Sequence, residues 1–186
     1  KSYTQLNKQA ISSYMSFRYP ILNDTFFQGI NSLPPAHYLK ISNSTNVEMV
    51  EYWSLCNLFK EQKNDKGEEY YLRNLRSLLD SSVEYRMISD VPFGAFLSGG
   101  VDSSVITSIM SKNSSTPIKT YSIGFKEKGY NEFEYANIIA SKFKTDHHEI
   151  VMNGDDYMET MDELISYKDA PLSVPNEVPL YLMCKE

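Results

Sequence analysis

Cysteine is scarce in this chain. There are two, Cys56 and Cys184, far apart and outside any Cys-x-x-Cys spacing, which excludes a zinc site of the paired-cysteine kind and a disulfide framework. Histidine is rarer than chance would make it, with three in 186 residues. Two of these, His147 and His148, adjoin Glu149, but adjacent residues on a strand point to opposite faces and do not chelate one ion; one buried and one exposed histidine is the expectation. Positive charge is also in deficit, 18 Lys and Arg against 24 Asp and Glu for a net charge of -6, which argues against nucleic acid as the main partner. Without a basic patch, the 14 tyrosines are assigned to core and interface positions, not to a base-stacking surface. No apolar run approaches the roughly 20 residues of a membrane span, and no signal-peptide pattern opens the chain. No partner membrane is expected, and a reducing cytoplasm is the simple inference from cysteine usage. Low-complexity tracts and internal repeats are likewise lacking.

What is present is enough apolar material, 41% of residues, for one good core and a smaller appendage. The organisation changes near residue 60. Residues 59 to 69, Phe-Lys-Glu-Gln-Lys-Asn-Asp-Lys-Gly-Glu-Glu, form a charged stretch with one glycine and suit an interdomain linker. From Tyr70 to Ile88, apolar residues at Tyr71, Leu72, Leu75, Leu78, Leu79, Val83 and Met87 predict a helix with one buried face. Beyond it the pattern predicts strand 91–97, helix 102–112, strand 118–125, helix 131–143, strand 145–152 and helix 155–167. Such alternation favours an α/β fold with a doubly wound parallel sheet and right-handed crossovers.

The run Phe96-Leu97-Ser98-Gly99-Gly100-Val101-Asp102-Ser103-Ser104-Val105 is the most informative of the chain. Val91 to Leu97 is an apolar run short enough for a buried central strand, and it stops at Ser98. After the turn, Val105, Ile106, Ile109 and Met110 recur at helical spacing. Gly99 and Gly100 remove the Cβ atoms that would keep an anion from the main chain and permit positive φ. The free N–H groups of the following helix, with the positive end of its dipole behind them, then face the anion. Ligands of doubly wound sheets bind beyond the carboxyl ends of the strands, where this turn lies. Either feature alone reads as an ordinary turn or N-cap, but strand, Ser-Gly-Gly-x-Asp-Ser-Ser and helix in that order read as a polyphosphate cradle. The turn lacks the lysine and spacing of a Walker A loop, and it is not Gly-x-Gly-x-x-Gly.

The turn resembles the PP-loop of the N-type ATP pyrophosphatases, which split ATP between its α and β phosphates. With its lead-in Ser89-Asp90-Val91-Pro92-Phe93-Gly94-Ala95, it is similar to the synthetase domain of the glutamine-dependent asparagine synthetase family. Thr120-Tyr121-Ser122-Ile123-Gly124-Phe125, Asn131-Glu132-Phe133-Glu134-Tyr135-Ala136, Thr145-Asp146-His147-His148-Glu149, Asp169-Ala170-Pro171 and Pro175-Asn176-Glu177-Val178-Pro179-Leu180-Tyr181-Leu182 resemble later stretches of that domain in order and spacing. Upstream, Asp24-Thr25-Phe26-Phe27-Gln28-Gly29-Ile30, Leu33-Pro34-Pro35-Ala36-His37-Tyr38-Leu39 and Glu51-Tyr52-Trp53 resemble the end of the family's glutaminase domain.

The resemblance implies a Rossmann-like sheet of the adenine nucleotide alpha hydrolase type, preceded by a short β-rich tail of a second domain. It divides the chain into 1–58, the C-terminal tail of an Ntn-type glutamine amidotransferase domain; 59–69, the linker; and 70–186, the N-terminal part of the ATP-binding domain. It implies a ligase that makes asparagine from aspartate, with glutamine or ammonia as nitrogen donor, through β-aspartyl-AMP and with release of AMP and pyrophosphate. The cofactors implied are ATP and Mg²⁺. Leu97, Ser98, Gly99, Gly100, Asp102, Ser103, Ser104, Ile123 and Gly124 are the expected nucleotide-binding residues, with Asp102 also the metal-linked catalytic carboxylate. The partners implied are small-molecule substrates, and the family admits a homodimer. The family's nucleophilic cysteine is N-terminal, whereas this chain opens on Lys1 and carries its cysteines elsewhere, so an internal piece of a longer protein is expected. Two alternatives stand beside this reading. One is another amide-forming adenylating enzyme of the β-lactam synthetase or peptide cyclase type; the other is a non-catalytic nucleotide-binding module.

Overall fold

The computed structural model describes residues 5–43, 46–60, 64–126, 131–168 and 170–186. Residues 61–63 of the charged stretch and Asp169 lie outside the described residues. The chain forms two compact units, one of residues 1–65 and 168–174, the other of residues 66–167 and 175–186.

The first unit opens with helix α1, Lys8–Phe17, an element the sequence reading does not foresee. Its start is set by Asn7, whose Oδ1 accepts from the N–H groups of Gln9 and Ala10 at 3.1 and 3.2 Å, an N-cap that satisfies two otherwise orphaned donors. Its end is set by Arg18 in the left-handed region, φ 66°, whose N–H returns to the Tyr14 carbonyl. Ala10 and Ser13 are its buried residues, and Tyr14 meets Phe26 edge to face at 5.6 Å. Strands β1, His37–Asn43, and β2, Asn46–Glu51, pair antiparallel as a hairpin that sets Leu39 opposite Met49 and Ile41 opposite Val47. Helix α2, Leu55–Lys60, follows, so the charged stretch begins inside a helix.

The second unit holds the parallel sheet. Helix α3, Glu68–Met87, leads into β3, Gly94–Phe96; then come α4, Val101–Asn113; β4, Lys119–Phe125; α5, Phe133–Phe143; β5, Asp146–Met152; α6, Gly154–Tyr167; and α7, Glu177–Lys185. The strand order is β3-β4-β5, parallel throughout. The α/β reading with helices flanking a parallel sheet therefore holds. Two expectations are corrected. Strand 91–97 shrinks to three residues, which pair with β4, and its Phe96 is 45% exposed. The predicted buried face of the long helix is realised only in its last turns: Val83 is buried and Leu79 and Met87 are half-buried against Ile109, Met110 and Ile118, whereas Tyr71, Leu72, Leu75 and Leu78 are exposed. The cause is geometric, because only the C-terminal half of α3 runs alongside α4 and Ala95.

On β4, Thr120, Ser122 and Gly124 are buried and alternate with half-buried Tyr121 and Ile123, the period of two that a strand requires. Helix α7 packs against β4. It is tied to α6 by Glu163, whose carboxylate accepts from Tyr181 Oη at 2.9 Å and from Lys185 Nζ at 2.8 and 3.0 Å. Lys185 and Tyr181 hold the Glu163 carboxyl below its usual range.

Candidate functional site

The turn after β3 is anchored before it begins. Leu97 is 1% exposed and packs with Ala136 and Ala140 of α5. Its N–H donates to the Tyr121 carbonyl at 2.8 Å, and its own carbonyl accepts from the Ser122 hydroxyl. Apolar burial and two backbone hydrogen bonds thus fix the residue from which the turn departs.

The two glycines that follow do different things. Gly99 adopts φ +79°, and a Cβ there would lie 2.6 Å from the Ala136 amide nitrogen and run into the Tyr135 side chain. The need for glycine at this position comes from close packing on the first turn of α5. Gly100 has an ordinary φ of -67°, and the nearest atom to a Cβ there is Ser98 Oγ at 3.3 Å. The side of the main chain free of backbone neighbours is therefore at Gly100, where a hydroxyl alone stands close.

Hydroxyls hold the turn in shape. Ser98 N–H donates to Ser103 Oγ at 3.3 Å, the two hydroxyls lie 3.0 Å apart, and Gly100 N–H donates to Ser98 Oγ at 3.3 Å. The Gly100 carbonyl accepts from Ser103 Oγ at 3.2 Å and Ser104 Oγ at 2.6 Å, and from Ser104 N–H at 3.1 Å, the first bond of α4. The N–H groups of Val101, Asp102 and Ser103 find no acceptor among the described residues. They form the positive end of a helix of 13 residues, equivalent to roughly half a unit charge, and suit an anion. Asp102 is exposed in this first turn.

Beside the turn lies a cleft of about 210 Å³. Of the expected residues, Leu97, Ser98, Ser103 and Ile123 line it together. Gly100 and Ser104 join through the hydroxyl network, while Gly99 is turned onto α5. Gly124 is buried, and a Cβ on it would lie 2.5 Å from both Asn131 Oδ1 and the Phe133 ring, so its free side is filled by the loop before α5. The cleft also takes Phe96, Tyr121, Ser122, Glu132, Phe133 and Met183, none of which the sequence reading assigned to the site. Alternation along β4 could have found Tyr121; Met183 comes from a distant helix and left no local signal.

Among the described residues no group of three or more His, Cys, Asp and Glu side chains forms a ready-made metal cage. Magnesium held by one or two carboxylates and by substrate phosphates needs no such cage, so one exposed carboxylate, Asp102, at the mouth of an anion-binding turn fits it. Farther along the sheet, His147 Nδ1 lies 2.9 Å from Thr120 Oγ1, which is 2.8 Å from Thr145 Oγ1. Burial of the ring holds His147 below the ordinary histidine range. His148 is exposed, stacked on Tyr121 and 3.3 Å from Asp146. The adjacent pair thus divides as expected, one inward and one outward.

The chain is 30% identical over 182 residues to asparagine synthetase [glutamine-hydrolyzing] 1 of Bacillus subtilis, an alignment covering 98% of this chain and 28% of that protein. Against the putative asparagine synthetase [glutamine-hydrolyzing] 2 of Methanocaldococcus jannaschii it is 29% identical over 178 residues, 95% of this chain and 34% of the relative. Amidase chry2 of Gibberella zeae is 28% identical over 162 residues, 80% of this chain and 24% of its own length. The chain thus spans about a third or less of the length of these relatives. The family model for asparagine synthase matches residues 74–186, the stretch that holds the sheet, the turn and the cleft, and with well over half of its length so matched the chain belongs to the asparagine synthase family.

Proposed function

We propose that the protein carrying this chain makes asparagine from aspartate and ATP, and that residues 70–186 supply the polyphosphate-binding half of its active site. The observation that supports this most is the turn itself: three N–H groups at the start of α4 without acceptors among the described residues, a Gly100 bordered only by a hydroxyl and an exposed Asp102, in a chain of the asparagine synthase family. The side-chain carboxylate of aspartate attacks the α-phosphorus of ATP, the bond to the bridging oxygen breaks, and pyrophosphate leaves. Ammonia from glutamine then attacks the acyl carbon of β-aspartyl-AMP, releasing AMP and a proton. A carboxylate is a poor acyl donor until its oxygen belongs to a good leaving group, and adenylation meets that need. The N–H groups of Val101, Asp102 and Ser103 are positioned to take up charge that builds on the departing pyrophosphate, the preorganised kind of stabilisation that contributes most in closed sites. Asp102 would hold magnesium, which when bound neutralises phosphate charge.

Within this reading residues 1–58 are the tail of a glutaminase domain and 59–69 a linker, a division supported by the start of the family match at residue 74. The reading places the enzyme in the cytoplasm with its two cysteines as free thiols, both being exposed and unbonded here.

The test is pyrophosphate release from ATP by the complete protein with magnesium and ammonium, with and without aspartate. Aspartate-dependent pyrophosphate with asparagine as product is the expected result. Pyrophosphate with a different acid would move the protein to another amide-forming branch. ADP as product, or nucleotide binding with no turnover, would overturn the proposal.

A further inference from the structure

We infer that Glu132 is the residue through which this site reads the ribose of its nucleotide, its carboxylate accepting hydrogen bonds from the sugar hydroxyls. The inference rests on the nucleotide reading of the cleft given above. Behind Ile123 the cleft adjoins a second hollow of about 520 Å³, and the two share Ile123, Glu132 and Met183 as a common wall. The first hollow carries Ser98 and Ser103 of the anion-binding turn; the second is walled by apolar Phe125, Pro179 and Leu180. A nucleotide laid across both has its phosphates at the turn and its base among the apolar side chains. The ribose then falls at the shared wall, where Glu132 is, among the described residues, the one charged side chain lining either hollow. An ionised carboxylate only accepts, and two neighbouring hydroxyls offer two donors to its two oxygens.

The simpler role for Glu132 is to cap α5, since it occupies the N-cap position. Its side chain makes no capping bond. The carbonyl serves that end of the helix, accepting from the N–H groups of Tyr135 and Ala136 at 3.1 Å each, and the carboxylate has no partner among the described residues. Both neighbours are fixed: Asn131 Oδ1 accepts from Phe125 N–H at 2.6 Å, and the Phe133 ring fills the open side of Gly124. Glu132 is therefore held on a rigid stem with its carboxylate unused, the arrangement a recognition residue needs.

The experiment compares kcat/KM for ATP, 2′-deoxy-ATP and 3′-deoxy-ATP in pyrophosphate release by the complete protein, for wild type, Glu132→Gln and Glu132→Ala. Wild type should favour ATP over at least one deoxy analogue by about ten- to hundredfold, the usual effect of one hydrogen bond to a charged group. Glu132→Ala should lose that preference through a raised KM for ATP, with the deoxy substrate unchanged. The isosteric Glu132→Gln, which keeps an acceptor and the shape of the stem, should fall between. Equal losses for ATP and both analogues, or an unchanged preference, would overturn the assignment while leaving the pyrophosphatase reading intact. Failure of wild type to release pyrophosphate from ATP at all would remove both.

Discussion

The two sides of the turn after β3 are built by different physics. One side is packed: Leu97 is buried against α5, Gly99 is pressed onto the backbone of Tyr135 and Ala136, and Gly124 closes on Asn131 and Phe133. The other side is polar: a Cβ on Gly100 would meet only the Ser98 hydroxyl, Asp102 is exposed, and three helix N–H groups lack acceptors among the described residues. Glycines next to each other in sequence therefore fall on opposite sides of this division, one pressed against backbone and the other beside the start of α4. A close-packed interior has no room for added volume, whereas an unpaired polar group is a store of binding energy not yet used.

Substitutions can break or sharpen this contrast. On the packed side, Gly99→Val should have the largest effect, because a β-branched residue at φ +79° combines left-handed strain with a collision against backbone. A loss of more than about 4 kcal/mol is expected, seen as little folded protein in circular dichroism and thermal unfolding; a folded variant that fails only to bind ATP would show that the packing is relaxed there. Gly124→Ala should cost about 1–3 kcal/mol by overpacking, and it should disturb the Asn131 bond to Phe125. Thermal melts measure it, and an unchanged melting temperature would refute the close fit. On the open side, Asp102→Ala should change stability by no more than about 1 kcal/mol, the usual size of a first-turn acid's interaction with the helix dipole. Pyrophosphate release should nevertheless fall by about two to three orders of magnitude, as when one electrostatic stabiliser is removed. Retained turnover with unaltered magnesium dependence would deny Asp102 its role.

The smallest effect concerns pH. His147 is held below 6.5 chiefly by burial, opposed by Glu149 and by the bond to Thr120 and aided slightly by His148. A lowered pKa in the fold means that the unfolded chain protonates first. The stability that comes from keeping this ring neutral is thus complete above about pH 6.5 and is lost as pH falls below it. Melting temperatures from pH 8 to 5 should decline in that lower range for wild type, and His147→Gln should flatten the decline; parallel curves would assign it to other groups.

A second contrast separates the two units. The sheet-bearing unit buries two clusters, one around Val83, Ile109, Met110 and Ile118 and one around Leu97, Ala136 and Ala140. Among the described residues of the first unit the buried ones are Ala10, Ser13 and Phe26, and the hairpin leaves Leu39, Ile41, Val47 and Met49 exposed. Period-two and helical patterns were readable where they are expressed against a core, as from residue 91 to 167. They misled where no core meets them: the heptad-like leucines of α3 promise a buried face along its whole length, and only its last turns have a neighbour. Helix α1 is not foreseen because its apolar Ile11, Met15 and Phe17 stay exposed and meet no core, and its start depends on a single capping asparagine.

By itself the sequence determined the alternation of strands and helices, the position of the turn, and the residues whose chemistry suits an anion, because periodicity, glycine and hydroxyl placement are local properties of the chain. It also carried the family. Tertiary structure alone decided that Gly99 is pressed onto α5 while Gly100 is not, that β3 is only three residues long, and that Tyr121, Glu132 and Met183 meet Leu97 and Ile123 around one cleft. Those outcomes depend on which distant segments come within contact distance, and contact between segments far apart in the chain leaves no mark on the order of residues in either one.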